Sequence, residues 1–240
     1  KYDYDTNTII LEEPTKTGYT FIGWTTSSND IPNTYCTIPR HSTGDKSFTA
    51  NWKANEYTIK YDVNGGDELE NDTQQVTYDS SFTLIVPTRV GYQFAGWFYN
   101  DNLVNTKVWN IPNNCILSAK WVADTDTKYI VNHYKENAND DGYTLDESLL
   151  LTGVSDSYVT PSFKTYIGFD NPEPQTVNIS PDGSLVINYY YTRKLFTITF
   201  VSNGGSDVNT IEQKYESIVD NTITSTKTNR TFAGWYNDLE

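Results

Sequence analysis

A seven-residue stretch that occurs three times constrains this chain more than any other feature. Its copies are Gly18–Trp24, Gly91–Trp97 and Asn229–Trp235, and each of them ends in Phe-x-Gly-Trp. The tryptophans that end the copies are separated by 73 and then by 138 residues, the latter being twice 69. A period near 70 residues is that of a small domain, not of a solenoid turn, so the sequence predicts tandem modules.

The residues that flank these copies also recur in a fixed order. An opening segment with alternating aromatic and aliphatic residues leads into Asn-Gly-Gly, and an alternating closing segment ends in Trp. Alternation with a period of two is typical of a strand with one buried face, whereas Asn-Gly-Gly is typical of a turn. The opening segments are 57–61 and 196–200, the turns 64–66 and 203–205, and the closing segments 48–52 and 117–121.

The recurrence predicts four small domains. Residues 1–54 are a repeat that lacks its first strand, 55–124 the complete repeat, 125–194 a module of another kind, and 195–240 a repeat that lacks its last strand. No stretch keeps the 3.6-residue period of a helix, so we expect mainly β modules, with an α+β fold as the alternative. The joining segments are two to six residues long, which favours an elongated array in which each module contacts its neighbours.

One position of the motif differs between the copies in an informative way. Gly18 and Gly91 stand before the aromatic strand in two copies, and Asn229 takes their place in the third. Glycine and asparagine are the residues that most readily adopt positive φ. We therefore predict a left-handed residue at this position in all three repeats.

The segment 125–194 has a pattern of its own. A turn-rich insert occupies 137–142, and Pro181-Asp182-Gly183 predicts a hairpin turn between two strands. The expected strands are 129–134, 176–179 and 184–191, with 144–151 either a strand or a short helix.

The charge of the chain restricts the classes of molecule that it is expected to bind. The formal net charge is −14 and the pI about 4.4. An acidic surface repels nucleic acid phosphates and anionic lipids, so we expect neither as a partner. No apolar run approaches the roughly 20 residues that cross a bilayer, so membrane insertion is not expected either. The absence of Met and the incomplete repeats at both ends suggest a piece of a longer protein.

The two cysteines, Cys36 and Cys115, each follow an Ile-Pro-Asn sequence, which suggests the same position in successive repeats. Equivalent positions in neighbouring modules lie about a module length apart, beyond the roughly 7 Å between Cα atoms that a disulfide tolerates. We predict two separate, reduced thiols. A long chain with few cysteines is more typical of a bacterial surface than of a small disulfide-rich secreted domain.

Candidates for catalysis or metal binding are few. His41 and His133 lie in different modules, and neither belongs to a zinc-ligand spacing or a nucleophile motif. Residues 137–142 resemble the first half of a calcium loop, but the twelfth position is Ser148 where bidentate ligation needs Glu. We interpret this segment as a turn between two strands, and we predict no catalytic residue, metal or cofactor.

The tryptophans either line a sugar-binding site or form the core. Trp24, Trp97 and Trp235 recur together with the turn residues of the fold, which favours the core. Alternation places Trp121 on the same face as Leu117, so we expect Trp97 and Trp121 to share one core. Trp109 has no counterpart in the other copies and is the candidate for an exposed ligand contact.

The ordered string resembles the Listeria–Bacteroides repeat, also called the internalin B-repeat. It comprises the alternating strand, Asn-Gly-Gly, Pro-Thr-(Lys/Arg)-x-Gly-Tyr-x-Phe-x-Gly-Trp and Leu-x-Ala-x-Trp, and three of the four modules carry it. The third copy departs from it with Ser225 in place of Pro and Asn229-Arg230 in place of Gly-Tyr. Residues 128–193 resemble the mucin-binding-protein-like module that alternates with such repeats.

The resemblance implies β-grasp (ubiquitin-like) modules in a bacterial protein that is secreted or attached to the cell wall. It implies a non-catalytic stalk or adhesive array, whose partners are neighbouring modules and a host-surface or cell-wall glycan or glycoprotein. Two alternatives stay open. In the first, residues 125–194 are a true glycan- or glycoprotein-binding module. In the second, the whole chain is an accessory region of a larger extracellular enzyme.

Overall fold

The regular secondary structure consists of β-strands, in a computed structural model that describes residues 2–237. Within that range the chain forms no helix. The mainly β prediction is therefore confirmed, and 144–151 is a strand rather than a short helix. Two compact units divide the chain, Lys1–Val122 and Ala123–Glu240.

The first two repeats contribute ten strands. They are β1 (Ile9–Ile10), β2 (Tyr19–Thr26), β3 (Asn29–Asn33), β4 (Thr37–Ile38), β5 (Phe48–Ala54), β6 (Glu56–Asp62), β7 (Thr73–Thr77), β8 (Tyr92–Tyr99), β9 (Asn102–Leu103) and β10 (Cys115–Ala123).

The complete repeat folds into one five-stranded sheet with the order β7-β6-β10-β8-β9. The opening strand β6 is antiparallel to β7 and parallel to the closing strand β10, with Ile59 opposite Cys115 and Tyr61 opposite Leu117. Because both strands alternate in polarity, this register places their apolar residues on one face of the sheet.

That face carries the core of the complete repeat. The buried residues are Ile59, Tyr61, Val76, Trp97, Trp109, Cys115, Leu117 and Ala119. The Trp97 ring lies 4.6 Å from the Tyr61 ring, and its indole N–H donates to the Ile85 carbonyl at 2.6 Å. Trp121 packs against the same cluster but stays half-buried, with its indole N–H on the Val63 carbonyl at 2.9 Å. The two tryptophans thus share one core as predicted, although only Trp97 is fully enclosed.

The first repeat has the counterparts of β10, β8 and β9 but, among residues 2–54, no counterpart of the parallel pair β6–β10. Its sheet has the order β3-β2-β5, and Phe21 contacts both Trp24 and Trp52 edge to face. No hydrophobic residue among 2–54 is buried to the extent of the core in the complete repeat. Trp24 is only half-buried, because no strand among residues 2–54 pairs with β5 in the way that β6 pairs with β10.

The second unit contains the remaining strands. They are β11 (Thr127–Glu136), β12 (Tyr143–Gly153), β13 (Tyr158–Val159), β14 (Phe169–Asp170), β15 (Val177–Asn178), β16 (Val186–Arg193), β17 (Leu195–Ile198) and β18 (Ile211–Lys214).

The 125–194 segment repeats the pairing of the complete repeat. Its main sheet has the order β12-β11-β16-β14, and the opening strand β11 is antiparallel to β12 and parallel to the closing strand β16. The core beneath it consists of Tyr129, Val131, Phe169, Ile179, Ile187, Tyr189 and Tyr191. The same arrangement of opening and closing strands thus occurs in two segments with different sequences.

The prediction that the strands on either side of Pro181-Asp182-Gly183 pair as a hairpin is wrong. The turn itself forms, with the Gly183 N–H on the Ser180 carbonyl at 3.0 Å. However, β15 pairs with β13, whereas β16 pairs with β11 and β14. The closing strand takes the central position of the sheet beside β11, so the strand before the turn finds its partner elsewhere.

The third repeat keeps the local features of the motif around a single strand pair, β17 with β18. Phe200 lies 4.8 Å from Trp235, as Tyr61 lies near Trp97, and the Trp235 indole donates to the Ile223 carbonyl at 2.8 Å. Residues 238–240 lie outside the described residues. The predicted left-handed position is confirmed in all three copies, with φ of 77° at Gly18, 74° at Gly91 and 58° at Asn229.

Candidate functional surfaces

His133, one of the two histidines, lies fully buried in the second core. The Tyr191 hydroxyl accepts from the Lys164 backbone N–H at 2.7 Å and lies within hydrogen-bond distance of His133 Nδ1, at 2.8 Å. Burial lowers the pKa of His133, and the nearby Lys164 lowers it further. The imidazole is therefore neutral and part of the packing. His41 is exposed and contacts the Tyr4 carbonyl through Nδ1 at 3.0 Å.

The calcium-like segment 137–142 is the turn between β11 and β12, and its oxygens hold protein groups. Asp140 Oδ1 accepts from Asn137 Nδ2 and from the Gly142 N–H, both at 2.7 Å. Asn139 Oδ1 accepts from the Ile218 N–H at 3.2 Å. Among the residues that the structure describes, no three His, Cys, Asp or Glu side chains gather as metal ligands. The interpretation of this segment as a turn is confirmed.

The ammonium group of Lys214, from the third repeat, lies beside this turn. Lys214 Nζ lies 2.8 Å from Glu136 Oε1, 2.9 Å from the Asp140 carbonyl and 3.1 Å from Asp141 Oδ1. Burial favours the neutral form of Glu136, but hydrogen bonds from Lys214 and from the Arg193 N–H keep its pKa below the usual value. These three oxygens form a socket for one lysine of the following repeat, and we call it the lysine socket.

Arg193 also connects the 125–194 segment to the third repeat. Its Nε donates to the Glu136 carbonyl at 2.8 Å, and Nη1 donates to the Tyr215 carbonyl at 2.6 Å and to Glu216 Oε2 at 2.9 Å. Its guanidinium lies 4.8 Å from the centre of the Phe169 ring. A planar cation that bonds to both sides of a junction restrains the rotation of one module against the other.

A backbone joint recurs where one module meets the next within each unit. In the first unit, the Asn55 N–H donates to the Gly18 carbonyl and the Tyr78 N–H to the Asn55 carbonyl, each at 2.9 Å. In the second unit, the Lys194 N–H donates to the Gly168 carbonyl and the Tyr215 N–H to the Lys194 carbonyl, each at 2.9 Å. The single residue between the closing and opening strands thus anchors both modules.

The side chains at this joint are also equivalent. The Tyr78 ring lies directly on Gly18, where an added Cβ would be 2.3 Å from the ring carbons. The Tyr215 ring lies on Gly168 in the same way, at 2.2 Å. Since real Cβ contacts are not this short, only glycine fits beneath either tyrosine. Sequence reasoning missed this contact, although the recurring Tyr-acid pairs Tyr78-Asp79 and Tyr215-Glu216 carry its signal.

Trp109 is not at the surface, so the expectation of an exposed ring is wrong. Its side chain is 1% exposed and meets the Phe82 ring edge to face at 5.3 Å. Backbone bonds between Trp109 and the Asp79–Ser80 turn pull this unrepeated residue under the sheet. Its lack of a counterpart reflects a different loop in the complete repeat.

The cysteines are free thiols, but they do not occupy equivalent positions. Cys36 is half-buried just before β4, whereas Cys115 is buried at the start of the closing strand β10. The loop before the closing strand differs in length between the two repeats, so the shared Ile-Pro-Asn does not mark one structural position. Burial raises the pKa of Cys115, which keeps the thiol protonated and unreactive.

The outer face of the 125–194 sheet exposes a group of tyrosines. Tyr134 and Tyr190 stack at 5.1 Å between ring centres, and Tyr143 meets Tyr190 edge to face, also at 5.1 Å. Two residues earlier on each of the two strands, Asn132 Nδ2 donates to Asn188 Oδ1 at 2.9 Å. We call these five residues the tyrosine–asparagine face. Alternation along β11 and β16 directs them away from the core residues between them.

Comparison with known proteins agrees with the recurrence of the motif. The Listeria-Bacteroides repeat domain matches residues 1–51, 57–120 and 196–240. These three matches cover more than half of the chain, which therefore belongs to this family. The resemblance of 128–193 to a mucin-binding-protein-like module stays a prediction.

Curated relatives share the sequence over long stretches. The chain is 26% identical over 99% of its length to a protein of Evansella cellulosilytica named "Putative Gly-rich membrane protein", and 27% identical over 79% to another named "Putative membrane protein". It is 34% identical over 38% of its length to Internalin H of Listeria monocytogenes. The chain spans only 28%, 29% and 17% of these relatives' own lengths. No solved structure matches significantly.

Nothing in the described part of the chain is a helix long and apolar enough to cross a membrane.

Proposed function

We propose that this chain is a non-catalytic, structural or adhesive tandem-repeat segment of a bacterial cell-surface protein. The observation that carries the proposal is the joint between modules, which recurs in both units with the same backbone bonds and the same tyrosine on glycine. The recurring motif residues thus pack the modules or join them, and none lines a reactive cleft. The names of the relatives, two membrane proteins and an internalin, support a surface location.

The four segments are proposed to be β-grasp-like modules. Numbered within the complete repeat, its sheet has the strand order 2-1-5-3-4, with the first and last strands parallel. This order and the parallel central pair are those of a β-grasp sheet, here without a helix. The parallel pair of β11 and β16 supports the same assignment for 125–194.

We further propose that the modules form an elongated array. The support comes from the short connections, which leave little freedom to fold back. Asn55 alone separates β5 from β6, Lys194 alone separates β16 from β17, and residues 124–126 join β10 to β11. A compact body of 240 residues would have a radius of gyration of about 18 Å. Small-angle X-ray scattering should yield a clearly larger radius, and a radius near the compact value would contradict the array.

Catalysis is not part of the proposed function. The buried, neutral His133 and the buried Cys115 are the groups closest to reactive chemistry, and packing encloses both. Turnover of a glycan or peptide substrate that a single substitution abolishes would refute this part of the proposal.

A second candidate function is glycan binding by the 125–194 segment, which the tyrosine–asparagine face favours. Tyrosine rings offer flat apolar surface with a polar edge, and asparagine amides both donate and accept hydrogen bonds. A pyranose presents the complementary pair, an apolar ring face and a rim of hydroxyl groups. Tyr190 is 47% exposed and Tyr143 39%, so the rings are accessible.

Titration of the chain with mucin-type and cell-wall oligosaccharides, followed by isothermal calorimetry or NMR, tests this candidate. Tyr190→Ala should abolish a saturable response, whereas Tyr158→Ala should retain it. Tyr158 is a suitable control because it is 76% exposed and lies outside this face. If no oligosaccharide gives a saturable signal, the face is not a glycan site and the structural function stands alone.

A further inference from the structure

The two joints share their backbone and their tyrosine but differ in the residue before that tyrosine. In the complete repeat it is Thr77, the last residue of β7, and in the third repeat it is Lys214, the last residue of β18. Because the tyrosines are equivalent, Thr77 and Lys214 occupy the same position in two copies of one repeat. In this chain the repeat that follows another repeat thus carries threonine at this position, and the repeat that follows the 125–194 segment carries lysine.

The hairpin of the 125–194 segment reaches this position in the following repeat. Its strands β11 and β12 have 10 and 11 residues, whereas β6 and β7 of the complete repeat have 7 and 5. The longer hairpin extends past its own core to the following repeat. There Glu136, Asp140 and Asp141 surround Lys214, and Asn139 bonds to the Ile218 N–H.

The lysine is well enclosed for a charged side chain. The Lys214 side chain is 23% exposed and that of Glu136 only 11%. A partly desolvated ion pair with further hydrogen bonds is stronger than an exposed surface pair. If the lysine were absent, Glu136 would lose its ion-pair partner and keep only the bond from the Arg193 N–H, whereas the fully exposed Asp141 would remain solvated.

We propose that the 137–142 hairpin and Glu136 are a docking site that selects the following repeat by the lysine before its joint tyrosine. The glycine under the tyrosine supplies the part of the joint that any repeat can use. The lysine socket supplies the part that distinguishes one repeat from another. The order of modules along the chain is thereby matched to complementary residues at each junction. The inference rests on the proposed module array, but it does not require that the array bind a ligand.

Hydrogen exchange of the 240-residue chain, followed by mass spectrometry, tests this proposal. The amides of Tyr215 and Ile218 report on the joint, because their N–H groups bond to the preceding module. Lys214→Thr installs the residue that the complete repeat has at this position. We expect it to speed exchange at these amides about three- to tenfold, while amides in β11 and β16 stay protected. Lys214→Arg keeps the charge and should retain most of the protection.

Thr77→Lys is the matched control in the first unit. Residues 2–54 contain no counterpart of the β11–β12 hairpin, so a lysine at position 77 meets no such socket in this chain, and the exchange of the Tyr78 amide should change less than twofold. Unchanged exchange in Lys214→Thr would overturn the proposal. So would an equal loss of protection in Lys214→Arg, since the charge would then not matter.

Two further measurements separate the socket from general destabilisation. Amides in the β17–β18 ladder show whether the third repeat itself has unfolded in Lys214→Thr. Glu136→Gln should have little further effect when it is added to Lys214→Thr, because the two side chains act through each other. Full additivity of the two substitutions would contradict a shared socket. An elongated array in scattering together with an ineffective Lys214→Thr would refute this inference alone.

Discussion

At the scale of single residues, glycine is most consequential where a tyrosine of the next module lies on it. Gly18→Ala should destabilise the first unit for two reasons, its positive φ and a Cβ 2.3 Å from the Tyr78 ring. Gly44→Ala provides a matched control, because Gly44 has a similar φ of 73° and nothing within 4 Å of the added atom. The φ term alone costs about 1–2 kcal/mol, so the difference between the variants measures the joint.

Urea unfolding monitored by tryptophan fluorescence checks this prediction, since five of the six tryptophans lie in the first unit. Gly18→Ala should lose clearly more unfolding free energy than Gly44→Ala. Equal losses would mean that the tyrosine moves aside freely and that its contact with the glycine does not hold the modules together.

A second residue-scale prediction concerns pH and the buried His133. Burial and Lys164 lower the pKa of His133 in the folded protein, whereas the unfolded chain titrates near 6.5. As the pH falls below about 6.5, the unfolded state therefore takes up a proton that the folded state refuses, and stability falls. His133→Gln should show a shallower loss of unfolding free energy between pH 7 and 5, measured by urea unfolding and circular dichroism. Equal slopes would contradict the lowered pKa.

At the scale of strands, the closing strands β5 and β10 have different partners, and this difference has a measurable consequence. The closing strand β10 of the complete repeat pairs with β6 and lies over a buried core, whereas no residue among 2–54 pairs with β5 in that way. Hydrogen exchange should therefore be slower by at least about tenfold in β10 than in β5. Similar protection in both strands would show that the first repeat is stabilised by contacts other than this core.

The strands also show which parts of the fold the sequence alone could predict. Alternation placed β6, β10 and β11 correctly, and the glycine-to-asparagine exchange predicted the left-handed residue before the aromatic strand, because both signals are local. The partner of β16 could not be found in this way. Its turn at 181–183 has hairpin chemistry, yet a parallel strand some 56 residues away takes the pairing edge. The glycine–tyrosine joint was missed for the same reason, since its two halves lie in different modules.

Charge acts at the scale of the whole molecule. With 31 acidic and 17 basic side chains, the chain carries a formal net charge of −14 at pH 7. Self-repulsion of this kind opposes the compact state, and salt screens it over about 10 Å at 0.1 M. Salt has the opposite effect on the ion pairs, such as Lys214 with Glu136. Screening weakens their attraction, so added salt lowers the stability that they contribute.

Six of the eight ion pairs between described residues have at least one partner whose side chain is more than a third exposed, and such pairs contribute little. We therefore expect repulsion to dominate, so that the urea midpoint at pH 7 rises as NaCl increases from about 0.01 to about 0.3 M. The same salt series near pH 4.4, where the net charge approaches zero, is the control and should show a much smaller rise. If NaCl instead lowers the midpoint at pH 7, the few enclosed pairs, above all the lysine socket, outweigh the repulsion of the whole chain. The joints between modules would then rely more on charge than on the tyrosine that lies on glycine.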